Sequence, residues 1–112
     1  MELLDLDGDA GRMIDRFDSR EARHVGVALI EGQGGVSIIR LGGGSVLGRH
    51  PAVVDQLFYV VAGEGWVAGG DGSRLPIRAG QAALWRAGEE HESGSQSGMT
   101  AFVVESESLT AR

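Results

Sequence analysis

Four side chains in this sequence are best suited to chemistry: His24, His50, His91 and Gln56. Imidazole is the commonest metal ligand and the side chain that exchanges protons near neutral pH. His50 precedes Pro51, and six residues later Gln56 opens the run Gln56-Leu57-Phe58-Tyr59-Val60-Val61. That run is rich in β-branched and aromatic residues and ends at Gly63-Glu64-Gly65, so it reads as a strand bounded by turns. Side chains alternate along a strand, which puts Gln56 on one face with Phe58 and Val60. A buried amide left unpaired costs about 1–3 kcal/mol, so a polar group on this face points to an enclosed site that also takes a partner. An even separation puts His50 on the same face if the strand runs unbroken. His91 stands at a second loop-to-strand junction, after Gly88-Glu89-Glu90. His24 follows an arginine-rich polar stretch and reads as a surface residue. There is no cysteine, which excludes disulfides, thiolate metal sites and cysteine nucleophiles. No Ser-His-Asp triad is apparent.

The elements that must position these groups are short strands. Val25–Ile30, a turn over 31–35, and Val36–Leu41 lead into Gly42-Gly43-Gly44. After the central run come Trp66–Ala68, the hairpin turn Gly69-Gly70-Asp71-Gly72, and a short edge strand interrupted by Pro76. Ala82–Arg86, the segment after His91, and Met99–Glu105 complete the set. Eight or more strands between glycine turns, with no amphipathic helix, give an all-β sandwich or barrel. The segment Asp5–Asp9 lacks the spacing of a calcium loop and reads as a solvated arm. Residues 1–24 are expected to form an arm and edge strand, 25–106 the barrel, and 107–112 a loose tail.

The glycines and histidines fall into a two-part pattern. In the first part, Gly44 is followed after five residues by His50, then Ala52, Gln56 and Gly63. In the second, Gly80 is followed after five residues by Arg86, Ala87 and Gly88, then His91 and Ser95. This resembles the cupin family, whose motifs read G-x5-H-x-H-x3,4-E-x6-G and G-x5-P-x-G-x2-H-x3-N, over about 35–104. The resemblance implies a double-stranded β-helix, or jelly-roll barrel, often dimeric, with a pocket in its mouth that holds a divalent metal in many members. The chain departs from the pattern at four positions: Ala52 replaces a histidine, Gln56 the glutamate, Arg86 the proline and Ser95 the asparagine. The metal ligands implied are therefore His50, Gln56 and His91, with Phe58, Phe102 and Trp85 lining the pocket. All three ligands are neutral, so a +2 ion is held weakly.

Three readings of the site stay open at this level: a weakly bound divalent metal acting as Lewis acid, a metal-free pocket that binds or senses an organic ligand, and a hydrogen-bonded polar cluster. Whether the pocket is catalytic is likewise open. The chain has 112 residues, enough for one domain, and a net charge of −6. All ten basic residues are arginines and are scattered, which argues against nucleic acid and anionic membrane surfaces. The acidic start, Met1–Gly11, has no apolar core of a signal peptide, and no run approaches the length of a membrane span. A cytoplasmic protein with a small-molecule ligand is expected. It is also expected to be a homodimer, because the outward set Leu57, Tyr59 and Val61 is apolar.

Overall fold

Strand β6, Asp55–Ala68, is fourteen residues long and belongs to two sheets. The computed structural model describes residues 1–7 and 11–112. The first half of β6 lies in a sheet ordered β1 (Glu2–Asp5), β8 (Gln81–Trp85), β6, β10 (Met99–Ala111) and β4 (Ala28–Leu41). The second half pairs with β7 (Arg74–Arg78) on one side and β9 (Glu90–Ser95) on the other. Strand β9 in turn pairs with β5 (Ser45–Pro51). A two-residue ladder joins β2 (Arg12–Met13) to β3 (Arg23–His24). Every pairing is antiparallel. Two sheets sharing a bent strand enclose the interior expected of an all-β jelly roll. None of the described residues forms a helix long and apolar enough to cross a membrane.

The bend falls at Gly63, which adopts φ +79°. A Cβ there would lie 2.2 Å from the carbonyl oxygen of Gly98, far inside contact distance, so only glycine lets the two strands approach. Alternation along β6 and its neighbours then sorts the apolar residues into two clusters. Phe58, Val60, Val67, Ile77, Ala83, Trp85, Met99, Ala101 and Val103 fill the space between the sheets. Leu57, Ala82, Leu84 and Leu109 face outward, where Leu4, Leu6, Val27 and Ala111 pack over them.

Three expectations are corrected by this arrangement. The glycines at 31–35 and 63–65 do not reverse the chain. Gly32 has φ +80° within β4, where the register with β10 shifts between Ser106 and Ser108, a bulge in a long strand. Gly63 has φ +79° inside β6 and stays paired with Met99, while the register of β6 with β10 shifts at Val61, between Thr100 and Ala101. Residues 107–111 are no loose tail, since β10 continues to Ala111 against Ala28. Of the outward apolar set on β6, Leu57 is covered by this chain itself, only 4% exposed, whereas Val61 keeps 38% exposure. More of the uncovered apolar surface lies farther along the sheet, at Ile30, Val36, Ile38 and Phe102. Of the arm segment Asp5–Asp9, residues 8 and 9 lie outside the described residues.

One buried charge joins three elements. Asp55, at the start of β6, accepts hydrogen bonds from the backbone N–H of Leu109 on β10 (3.0 Å) and of Ala87 in the β8–β9 loop (3.0 Å). Arg86 donates to the same carboxylate (3.1 Å) and to the Leu109 carbonyl. Burial opposes ionisation of Asp55, but these donors outweigh it and hold its carboxyl below the usual carboxylate range. Arg86, which stands where the family pattern has proline, is therefore half of a cross-strand tie. We expect Asp55→Ala to cost about 3 kcal/mol in urea unfolding, because two backbone donors and a guanidinium lose their acceptor. With a depressed folded-state pKa, this stabilisation is fully present above the unfolded carboxylate value of about 4 and fades as pH falls below it. The difference between native protein and Asp55→Asn should therefore be constant above about pH 5 and shrink towards pH 2.

Candidate functional site

His50 and His91 face each other across the β5–β9 ladder, directly opposite in register. Their ring centroids are 4.3 Å apart at an interplanar angle of 56°. The even spacing of His50 and Gln56 is not what brings them together. The two residues lie on different strands, and β5 carries an irregularity between Leu47 and His50. The backbone of Ala52 fixes this junction. Its N–H donates to the Glu89 carbonyl (2.9 Å), and its carbonyl accepts from Gly88 N–H (2.7 Å). The two strands bearing the histidines are thus tied to each other one residue beyond the end of β5.

Each imidazole is anchored in the same way. His50 donates Nδ1–H to the Gly48 carbonyl (2.6 Å), and His91 makes a longer Nδ1 contact with the Glu89 carbonyl (3.4 Å). In both cases the acceptor lies two residues earlier, and the tautomer it selects leaves the Nε2 lone pair free. His50 sits at the exposed mouth, whereas His91 is 2% exposed and its Nε2 has no hydrogen-bond partner. Burial pushes the His91 pKa down, the Glu89 carbonyl works in the opposite direction, and His50 lowers it further. The net effect is a neutral ring at neutral pH, the state that ligates a metal or accepts a hydrogen bond.

Behind the imidazoles runs a line of aromatic rings. Trp85 lies 4.7 Å from His91, centroid to centroid, and Phe58 lies 5.9 Å from Trp85, edge to face. The indole N–H of Trp85 is also buried without a partner. Trp85 and His91 thus offer an unused donor and an unused acceptor on adjacent rings. Gln56 stands directly opposite Trp85 in the β6–β8 ladder, on the Phe58 face, and is 8% exposed. Its amide makes no hydrogen bond among the described residues.

Of the six expected site residues, His91, Gln56, Phe58 and Trp85 are buried on the interior face, and His50 sits at the exposed mouth against His91. Phe102 is not on that face. It lies between Val103 and Ala101, both interior, and so points to the outer face opposite Tyr59 and Ile38. His24 is on the β2–β3 ladder, exposed and far along the chain's arm. The remaining motif positions have structural partners. The Ser95 hydroxyl donates to the Glu64 carbonyl (2.6 Å) and accepts from Gly98 N–H (2.8 Å). The rim carboxylates are engaged as well, Glu89 with the Met1 amino group (2.6 Å) and Glu90 with Arg49 (2.8 Å).

The two imidazoles lie side by side, and Gln56 lies on the same interior face opposite Trp85, which packs on His91. No group of three or more His, Cys, Asp or Glu among the described residues is placed to hold an ion. The orphaned, buried Nε2 of His91 fits a weakly held divalent ion, and the neutral donor set argues against a tight one. One residue at the rim of this interior escaped the sequence reading. Glu105 extends the interior row Met99, Ala101, Val103 of β10 and acts electrostatically on His91. The period of two in that row was its only signal.

Comparison with known proteins agrees with this arrangement. Residues 35–105 match the cupin domain family. A cupin superfamily protein from Desulfitobacterium hafniense superposes with a TM-score of 0.60 at 16% identity, over 94% of this chain and 97% of that one. A protein with a double-stranded β-helix domain from Klebsiella pneumoniae gives 0.62 at 19%, covering 76% and 79%. A protein described as a predicted oxalate decarboxylase from Thermotoga maritima gives 0.57 at 22%, covering 69% and 65%. At these identities the likeness speaks for the fold. No curated protein matches the chain.

An unpaired buried nitrogen is a cost to the fold. Replacing His91 by leucine, similar in bulk, removes the orphan at the expense of one long hydrogen bond. We expect His91→Leu to gain about 1 kcal/mol of stability by chemical denaturation. A loss of similar size would show that the Nδ1 contact and the ring stack outweigh the orphaned atom.

Proposed function

The chain belongs to the cupin domain family, and on that premise we propose that it binds a small molecule in the barrel mouth, over a weakly held divalent ion ligated by His50, His91 and Gln56. The observation that carries this reading is the buried, unpartnered Nε2 of His91 beside the similarly anchored His50. A divalent ion there supplies Lewis-acid polarisation of an oxygen-bearing ligand. The chain's own residues do the rest. Burial keeps His91 neutral, the Gly48 carbonyl fixes the His50 tautomer, and Phe58 and Trp85 keep water from the inner side. With only neutral protein donors, open positions around the ion are left for the ligand.

A second reading is favoured by Trp85, whose indole N–H is also unused. A donor and an acceptor on adjacent rings, with the Gln56 amide close by, suit a metal-free pocket that binds or senses an uncharged organic ligand through hydrogen bonds.

Elemental analysis of untagged protein and calorimetric titration with zinc and manganese separate the two. On the first reading His91→Ala abolishes binding, and Gln56→Glu raises affinity by about tenfold or more, because a charged oxygen replaces a neutral one. No gain with Gln56→Glu would remove Gln56 from the site. A metal-free protein stabilised thermally by an organic compound supports the second reading.

We further propose that the protein is a homodimer joined through β4. This strand ends its sheet, runs for fourteen residues, and carries Val36 at 70% and Ile38 at 48% exposure. A long open edge with an apolar face is usually covered. Light scattering should give twice 11.7 kDa, and Ile38→Asp should halve it. A monomer mass for the native protein at micromolar concentration would refute the proposal.

A further inference from the structure

Four residues lie in one register line across the first sheet. Gly35 on β4 is opposite Glu105 on β10, Glu105 is opposite Gln56 on β6, and Gln56 is opposite Trp85 on β8. Residues directly opposite in antiparallel strands project to the same face. Trp85 at one end of the line touches His91 inside the barrel. Glu105 therefore belongs to the interior face as well, and the row it continues along β10, Met99, Ala101 and Val103, is buried at 3% exposure or less. At Glu105 that row reaches the open end, and its side chain is exposed. No ion pair or hydrogen bond engages its carboxylate among the described residues. Beyond it, Gly35 contributes no side chain, and a Cβ there would meet nothing within 4 Å. The carboxylate thus stands at an uncrowded rim, one strand from Gln56, on the side facing the two imidazoles.

We propose that Glu105 supplies the negative charge that Gln56 lacks, so that the mouth of the barrel favours a divalent cation through a carboxylate displaced by one strand. This rests on the reading that His50 and His91 hold such an ion. The carboxylate does not join the imidazoles in a three-residue ligating group. It acts across the mouth, by charge. At a separation of several ångströms in a hydrated setting, one negative charge changes the affinity for a doubly charged ion by about three- to tenfold.

The test is a calorimetric titration of zinc chloride into five proteins: native, Glu105→Gln, Glu105→Asp, His91→Ala, and the exchange variant Gln56→Glu with Glu105→Gln. Thermal melting first establishes that each is folded. Glu105→Gln should bind zinc about three- to tenfold more weakly at low ionic strength, with the gap closing as salt is raised. Glu105→Asp keeps the charge and should stay within about twofold of native. The exchange variant returns the charge to position 56 and should match or exceed native affinity. If His91→Ala loses zinc while Glu105→Gln binds as tightly as native, the role of Glu105 is overturned and the histidine site stands. If native protein binds no zinc, both are overturned.

Discussion

The fold depends on a single strand serving two sheets. The first half of β6 carries β8 and β10, and the second half carries β7 and β9. The change of partner requires a left-handed backbone at Gly63 and contact with Gly98 too close for any Cβ. Because one continuous strand makes the turn, Gln56 at its start and the β9 segment bearing His91 come to face the same interior. Sequence spacing alone would not bring them there. The site is a consequence of how the sheets are joined.

Two kinds of buried polarity lie within this frame, and their treatment differs. Asp55 is charged and buried, yet two backbone N–H groups and Arg86 satisfy it. Ser95 and Ser106 likewise have partners for their hydroxyls, Ser106 donating to the Glu31 carbonyl across the β4 bulge (2.7 Å). His91 and Trp85 each keep one buried nitrogen unpaired, side by side. A fold that saturates its structural polar groups and leaves two adjacent ones open has given up stability at one place. That contrast, more than the motif, is the support for a proposed binding site at the mouth.

Much of this was legible in the sequence. The glycine turns and the alternation of Gln56, Phe58 and Val60 gave the all-β class and the interior face of β6, and the resemblance to the cupin pattern implied that the two motif histidines meet. The glycines misled where they lay inside strands. Gly32 and Gly63 look like chain reversals because the same positive φ serves a turn and the interior of a long strand, and only the pairing on both sides distinguishes them. Phe102 is expected to line the pocket, whereas the parity of Ala101 and Val103 turns it outward. Glu105 was missed for the complementary reason: a charged residue near the end of an apolar row looks like the end of the strand, although β10 runs on to Ala111.

The pairing of β4 with β10 also fixes an order of events during synthesis. Strand β4 ends at Leu41, and its partner begins only at Met99. On a ribosome, β4 and the first half of β6 are made well before the strand that must lie between them. Such non-local pairing is slow to form, because a long loop must close before any contact rewards it. Until β10 arrives, Ile38, Ile39 and Val60 wait without their sheet neighbours, a window in which the nascent chain is open to aggregation and to chaperones.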